Sequence, residues 1–409
     1  MNIFPIDWVR SQFPSLGRTV NDRPIIYLDG PGGTQVPTQV IAAVSDYYQT
    51  SNSNLGGRFV TSEQTGAIVS DTREILARFL GANRPEEIVF GQNMTSLTFA
   101  LSRALAQRWE PGAEIIVTSL DHDANVTTWR RAALDRGVEV RTWDFRLDTC
   151  TLELADLEPL VNRRTVLIAV TLASNAVGSM VDVAEVTRLA HTVGAKVFVD
   201  GVHCAPHAAI NVQMLDCDFL ACSAYKFFGP HVGVLWGRHD LLTSIQPYKV
   251  RPAANEPPGS WETGTQSFES IAGVAAAVRY LESINEHSTG ISNLKASMDS
   301  ITAYERQLAE RFLAGITEIS GLQLFGLNSA RNRTPTFAIR LRRLTPEEIA
   351  DRLGCHGIFV WHGHFYAVDV INRLGLADRG GVVRLGFAHY NTLEEVDRTL
   401  GLLAEIAAD

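Results

Sequence analysis

Residues 195–230 read AKVFVDGVHCAPHAAINVQMLDCDFLACSAYKFFGP: two apolar runs, KVFVD and FLACS, each closed by polar residues and separated by a segment of helical length. Runs that stay apolar on successive residues fit strands covered on both faces, as in a parallel sheet wrapped by helices. The same rhythm extends outward from about residue 85 to 237, through EEIVF, AEIIVTSL, VEVRTWD and TVLIAVTLA on one side and VGVLWG on the other. Seven β-rich runs, several of them continuously apolar, with helical stretches between them predict a doubly wound α/β sheet, and in such sheets the polar residues at the C-terminal strand ends mark a site. Beyond about residue 285 the pattern changes to helical YERQLAERFLAGI, strand-like LQLFG, TFAIRLR, GIFVW and VVRLGF, and a last amphipathic helix from about Leu393. The expectation is a large domain, residues 17–284, and a smaller α+β domain made of residues 1–16 and 285–409.

The chain has 409 residues, 45% hydrophobic and 20% charged, enough for two domains sharing a large buried core. Its net charge of −9 and the lack of any Lys/Arg run argue against nucleic acid or an anionic membrane as partner. Five scattered cysteines, Cys150, Cys204, Cys217, Cys222 and Cys355, lack the paired spacing of a zinc site and are odd in number, which argues against a structural metal and a disulfide framework. The opening MNIFPIDWVRSQFPSL carries Asp7 and no basic-then-apolar leader, so a cytoplasmic location is expected.

Two residues carry the first chemical signal. Asp200 closes a buried apolar strand, where a carboxylate needs a cationic partner; a protonated pyridine nitrogen is one, and the pairing keeps the ring an electron sink. Asp at a strand end also serves simply to cap the next helix. Lys226 follows the next strand in SAYKFFGP, where a lysine with a lowered pKa can condense with an aldehyde cofactor. Alone it reads as a solvated turn lysine; paired with Asp200 it does not. NMTSLTFALSRAL begins a helix after a strand, so its amides and the Thr95 hydroxyl can hold a phosphate.

With these motifs, YLDGPGGTQVP, EEIVF, LDHDANVTTWR, ASNAVGSM, VDGVHCAPHA, CDFLACSAYKFFGP, WETGT and VVRLGFAHYNTLEEVD together, the chain resembles the class V aminotransferase superfamily, most nearly its cysteine desulfurase group, over almost its whole length. The resemblance implies the pyridoxal 5′-phosphate (PLP)-dependent transferase fold, of aspartate aminotransferase type, and PLP as cofactor. It makes Lys226 the Schiff-base (aldimine) lysine, Asp200 the partner of the pyridine nitrogen and His122 the imidazole on the cofactor ring. It places Asn175 and His203 near the phenolic oxygen, His203 standing where desulfurases commonly have Gln. Thr95, Met94, Ser223 and Tyr225 fall at phosphate-binding positions, with Met94 and Tyr225 replacing a Thr and a His. Thr265 would reach the phosphate of a neighbouring subunit, which implies a homodimer. Arg384 would take a substrate α-carboxylate in bidentate fashion, while Gly32, Gly33 and His364 line the substrate side.

The pattern breaks where desulfurases carry the mobile cysteine that becomes a persulfide. In VWHGHFYAVDV, Tyr366 stands at or next to that position and Trp361 where a substrate-binding Arg is expected; the nearest thiol, Cys355, lies eleven residues earlier. Neither Tyr nor Trp accepts sulfur. At the mouth, GPGG (30–33) replaces the usual NAA, and its glycines either widen the pocket, bring amides onto a ligand, or serve a turn. The function expected is a PLP-dependent carbon–sulfur or other β-eliminating lyase of L-amino acids. Its rivals are a class V aminotransferase or epimerase, a desulfurase with an unconventional thiol, and a non-catalytic scaffold.

Overall fold

The structure, a computed structural model, describes residues 4–409. All seven apolar runs form strands of one sheet: β1 (Ile88–Gly91), β2 (Glu114–Thr118), β3 (Glu139–Trp143), β4 (Thr165–Thr171), β5 (Lys196–Asp200), β6 (Phe219–Ser223) and β7 (Gly233–Gly237). Their order is β1-β7-β6-β5-β4-β2-β3, with β7 antiparallel to both of its neighbours and every other pairing parallel. β2, β6 and β7 are buried at every residue, as apolar and small residues covered on both faces require, the one charge in them, Glu114 of β2, being paired with Arg141 and Arg164. Because the parallel strands run alike, the C-terminal ends of β2, β4, β5 and β6 gather at one edge.

Helix Met94–Ala106 starts at that edge behind a capping box, in which Asn93 Oδ1 accepts from Ser96 N–H and Ser96 Oγ from Asn93 N–H. On the far side of the large unit, Phe268–Thr289 packs against Thr38–Thr50 and Val60–Leu80. The second sheet, β8 (Leu322–Phe325), β9 (Thr336–Leu341), β10 (Trp361–Gly363) and β11 (Val382–Gly386), is wholly antiparallel in the order β8-β9-β11-β10. Helices Leu294–Ile316, Pro346–Cys355 and Leu393–Ala408 pack with it, the last two opened by Thr/Glu capping boxes.

GIFVW, expected as one strand, is two. Ile358–Phe359 pairs in parallel with Ile26–Tyr27, and after Val360 the chain turns to pair Trp361–Gly363 with β11. This split has a consequence for the site: it draws the segment 26–33 against β11, Gly386 N–H donating to Leu28 O (2.8 Å). Trp361 and Arg384 become directly opposed residues. We propose the division into 17–284 and 1–16 with 285–409 as two units, the C-terminal turn of helix Phe268–Thr289 crossing between them; residues 1–3 of the N-terminal piece lie outside the described residues. One apolar core runs through both, with Phe4 stacked on Tyr304 (4.3 Å) and Phe13 edge-on to Tyr280 (5.2 Å).

Candidate active site

The strand ends converge on a cavity lined by Pro31, Met94, Thr95, His122, Asn175, Asp200, His203, Ser223, Tyr225 and Lys226, which opens into an outer chamber of about 920 Å³ bounded by the 361–366 loop and Arg384. Nearly every residue singled out from the sequence is therefore in one place. Two fall outside: Gly33 lines neither the cavity nor the chamber, and Thr265 is exposed and lines a different cavity with Gln92, Asn93 and Ser96.

Lys226 ends the short turn after β6, and its ammonium donates to Pro31 O and to Gly32 O (2.9 Å). The chain has four lysines. The other three are committed elsewhere: Lys196 to Asp218, Lys249 to Ala253 O and Asn255, Lys295 to Asp299. Burial, helped by the Arg384 charge and opposed by Asp200 and Asp29, brings the Lys226 pKa down to about 7. A free amine is thus accessible near neutrality, which condensation with an aldehyde requires.

Asp200, the last residue of β5, is buried and accepts one bond, from Val202 N–H to Oδ1 (2.9 Å). Burial raises its pKa to about 6, with the Val202 bond and then Lys226 pulling the other way. A buried carboxylate held by one amide still wants a cation. His122 takes Ala124 N–H on Nδ1 (3.0 Å) and lies parallel to the Tyr366 ring at 5.4 Å. Burial, then Lys226 and Arg384, lower its pKa to about 4, so the imidazole is neutral and suited to stacking. His203 is buried, its Nε2 shared between the Thr334 and Thr336 hydroxyls (3.1 and 3.0 Å), and burial keeps its pKa well below the usual value. Ser223 Oγ accepts Met94 N–H (2.9 Å), joining the end of β6 to the first turn of the helix that begins at Met94. Tyr225 stacks on His231 (4.8 Å), with Lys226 Nζ 5.0 Å from its ring.

Arg384 is buried and donates from Nη1 to Asn175 O (2.9 Å), its guanidinium 4.2 Å from the Phe365 ring. Burial lowers its pKa to about 9, which leaves it cationic at pH 7. Among the described residues Arg384 Nε, Asn175 Oδ1 and Asp29 Oδ1 are buried without a hydrogen-bond partner. Such groups in a polar pocket call for a ligand.

Two carboxylates beside the site, the half-buried Asp29 and the buried Asp121, escaped the sequence reading. Asp29 lies in the quoted YLDGPGG; burial raises its pKa to about 6 against its own backbone amide, Arg384 and Lys226. Asp121, next to His122, accepts from the Thr118 hydroxyl, from Asn125 Nδ2 (2.6 Å) and from Thr171 N–H (3.2 Å), and so ties the His122 turn to β2 and β4. Burial pushes its pKa up to about 8, the donors opposing. Asp121→Ala strands three donors, and each buried unsatisfied group costs about 1–3 kcal/mol; a fall in the urea midpoint of the cofactor-free protein is the expected result, and an unchanged midpoint contradicts this bracing role.

The mouth glycines act otherwise than by offering amides. Gly32 N–H is used by Asp29 O (2.7 Å) and Gly33 N–H by Gly30 O (3.0 Å), so it is the Gly32 carbonyl that faces Lys226. A Cβ on Gly32 would lie 2.6 Å from Trp361 Nε1; the missing side chain makes room for the indole. His364 Nδ1 accepts Tyr366 N–H (3.1 Å), Asn175 Nδ2 donates to Phe365 O (3.0 Å), and Asp123 N–H to Tyr366 O (2.7 Å). These bonds hold Phe365 and Tyr366 at φ of +53° and +58°, a conformation that costs an L-residue about 1–2 kcal/mol. None of the five cysteines lines the cavity or the chamber: Cys150, Cys204, Cys217 and Cys222 are buried, with burial raising their thiol pKa values, and Cys355 is exposed at the end of helix Pro346–Cys355.

An aldehyde-accepting lysine, a buried carboxylate awaiting a cation, a neutral imidazole and a helix start together fit PLP. A seven-stranded sheet of this order with such a pocket defines the PLP-dependent enzymes of aspartate aminotransferase type. More narrowly, the family described as "Aminotransferase class-V" matches residues 26–399, and the chain belongs to it. It is 31% identical to the cysteine desulfurase of Dickeya dadantii, over 98% of this chain and 97% of that protein. It is also 31% identical to the probable cysteine desulfurase 1 of Mycobacterium leprae, over 100% of this chain but 66% of that protein; thus it spans just under two thirds of that relative's length. Among solved structures it is similar to the apo cysteine desulfurase of Thermococcus onnurineus NA1 (TM-score 0.89, 28% identity, covering 99% and 98% of the two chains). It is also similar to the Escherichia coli cysteine desulfurase CsdA in its S-sulfonic acid form (0.86, 25%, 100% and 99%).

Proposed function

We propose that this chain is a PLP-dependent lyase that removes a β-substituent, above all a sulfur one, from an L-amino acid. The observation that carries this reading is the chamber itself. With the inner cavity it opens from, it brings together the Lys226 amine, the Asp200 carboxylate and the Arg384 guanidinium for PLP and an amino acid, yet neither space is lined by a thiol that could take sulfur from the substrate.

PLP, linked to Lys226 when bound, supplies the electron sink that makes the substrate Cα–H acidic. Asp200, at the end of β5, would pair with the pyridine nitrogen and hold its proton. His122 would lie against the ring, and its neutral state keeps a second positive charge away from Lys226. The start of helix Met94–Ala106, Thr95 and Ser223 bind the phosphate, while His203, fixed by Thr334 and Thr336, and Asn175 orient the phenolic oxygen. Arg384 binds the α-carboxylate with the edge that now lacks a partner. Lys226, whose amine is buried beside the Arg384 carboxylate site, is the base placed to remove the Cα proton. Loss of that proton would let a Cα–Cβ double bond form as the Cβ–substituent bond breaks, the substituent leaving with the electron pair of that bond and taking up a proton, so that a sulfur group departs as sulfide or thiol and hydrolysis of the remaining enamine gives pyruvate and ammonia.

We further propose a homodimer in which Thr265 completes the partner's phosphate site, since its own cavity excludes Lys226, and a cytoplasmic location. No helix among the described residues is long and apolar enough to cross a membrane.

Product analysis with L-cysteine and S-substituted cysteines tests the reaction. Pyruvate and sulfide or thiol in equal amounts are expected. Alanine together with an enzyme-bound persulfide contradicts the lyase reading and restores a desulfurase; a keto acid with pyridoxamine phosphate makes the chain a transaminase.

A further inference from the structure

The chamber outside Lys226 has a wall rich in aromatic rings and imidazoles, set among amides and hydroxyls. Trp361, Phe365, Tyr366, Phe99, His231 and His364 face it. Three charged side chains line the same space, and each has an occupation. Lys226 is the reacting amine, Arg384 is stacked on Phe365 and bonded to Asn175 O, and Asp123 Oδ1 accepts from the Thr127 hydroxyl (2.9 Å). Once Arg384 holds the α-carboxylate, an anionic substrate side chain meets no free Lys or Arg among the described residues lining the chamber and faces the carboxylate of Asp123.

The aromatic residues are placed rather than merely present. Trp361 and Tyr366 remain 52% and 66% exposed, which leaves much of each ring uncovered by protein. Trp361 nevertheless reaches across Gly32, the residue whose carbonyl accepts from Lys226, so the indole borders the reacting amine. Its register opposite Arg384 sets it beside the carboxylate site as well. Tyr366 is held at positive φ by Asp123 N–H and His364, with its ring parallel to His122. Two exposed rings, one on the edge strand β10 and one held in a strained loop, are surfaces for stacking.

We propose that the substrate of this site is an L-amino acid whose β-carbon carries an uncharged planar group, such as an arylthio substituent, stacked on Trp361 and Tyr366. This rests on the PLP-lyase reading above and narrows it from any β-substituent to an aryl or heteroaryl one.

Dissociation constants of the holoenzyme for S-phenyl-L-cysteine, S-methyl-L-cysteine and S-carboxymethyl-L-cysteine, read from the shift of the cofactor's visible band and by calorimetry, test it. S-phenyl-L-cysteine is expected to bind at least tenfold more tightly than the other two. Trp361→Ala, at an exposed position, is expected to reduce that preference at least fivefold, and Trp361→Phe to retain most of it. Equal affinities in the wild type, or a preference untouched by both Trp361→Ala and Tyr366→Ala, overturn the proposal while the lyase reading stands. A lysine-linked band that no amino acid perturbs overturns both.

Discussion

Lys226→Ala removes the visible absorbance of the purified holoenzyme and lowers turnover by at least about 10³-fold, within the roughly 10²–10⁴-fold that a positioned acid–base group contributes. No neighbour can deputise, because the chain's other three lysines are tied to Asp218, to Ala253 O with Asn255, and to Asp299. The pH dependence has a definite sign. Burial lowers the Lys226 pKa from 10.5 to about 7, so the cofactor-free native protein binds fewer protons than the unfolded chain between those values. Stability from this group rises with pH across that window, and Lys226→Met flattens the rise. In parallel, the rate at which PLP attaches to cofactor-free protein increases about tenfold per unit below pH 7 and levels off above it. Stopped-flow absorbance reads this directly, and a pH-independent rate speaks against a lowered amine pKa.

Asp200→Asn has the second largest effect and a different signature. The cofactor remains attached, because Lys226 is intact, but turnover falls by about 10²–10³-fold, the usual cost of losing one preorganised electrostatic partner. In the cofactor-free protein the carboxyl pKa is raised from 3.8 to about 6, chiefly by burial. The native state therefore binds more protons than the unfolded chain between those values, and stability from this group is full below about pH 4 and declines as pH rises through about 6. Denaturation of cofactor-free Asp200→Asn should lack that decline. Bound PLP reverses the trend in the wild type, since a pyridinium proton favours the carboxylate. Wild-type turnover in Asp200→Asn would remove Asp200 from the chemistry.

The large sheet was legible because most of its strands are nearly continuous apolar sequence, a pattern that burial on both faces imposes whatever the partners are, while the half-exposed edge strand β3 (Glu139–Trp143) showed itself by its β-branched and aromatic residues and its place in the rhythm. GIFVW was not, because its residues are equally apolar on both sides of Val360 and only the partners, Ile26–Tyr27 and β11, distinguish the two halves. For the site, Asp200 and Lys226 announced themselves as polar groups closing apolar strands. Asp121 did not, since the Thr171 amide that helps to hold it lies fifty residues away and only the β2–β4 pairing brings it near. Asp29 was hidden for the same reason: it gains its meaning from Arg384, reached through its bridge to Gly386. The use made of Gly32 was likewise unreadable without Trp361, three hundred residues on, resting where a Cβ would be.

The measurement to make first is borohydride reduction of the PLP-loaded protein followed by peptide mass mapping. One pyridoxyl group on the peptide containing Lys226, and none on those containing Lys196, Lys249 or Lys295, is the expected result. No adduct, or an adduct on one of the other three lysines, contradicts the assignment of Lys226 and with it the chemistry built on this pocket.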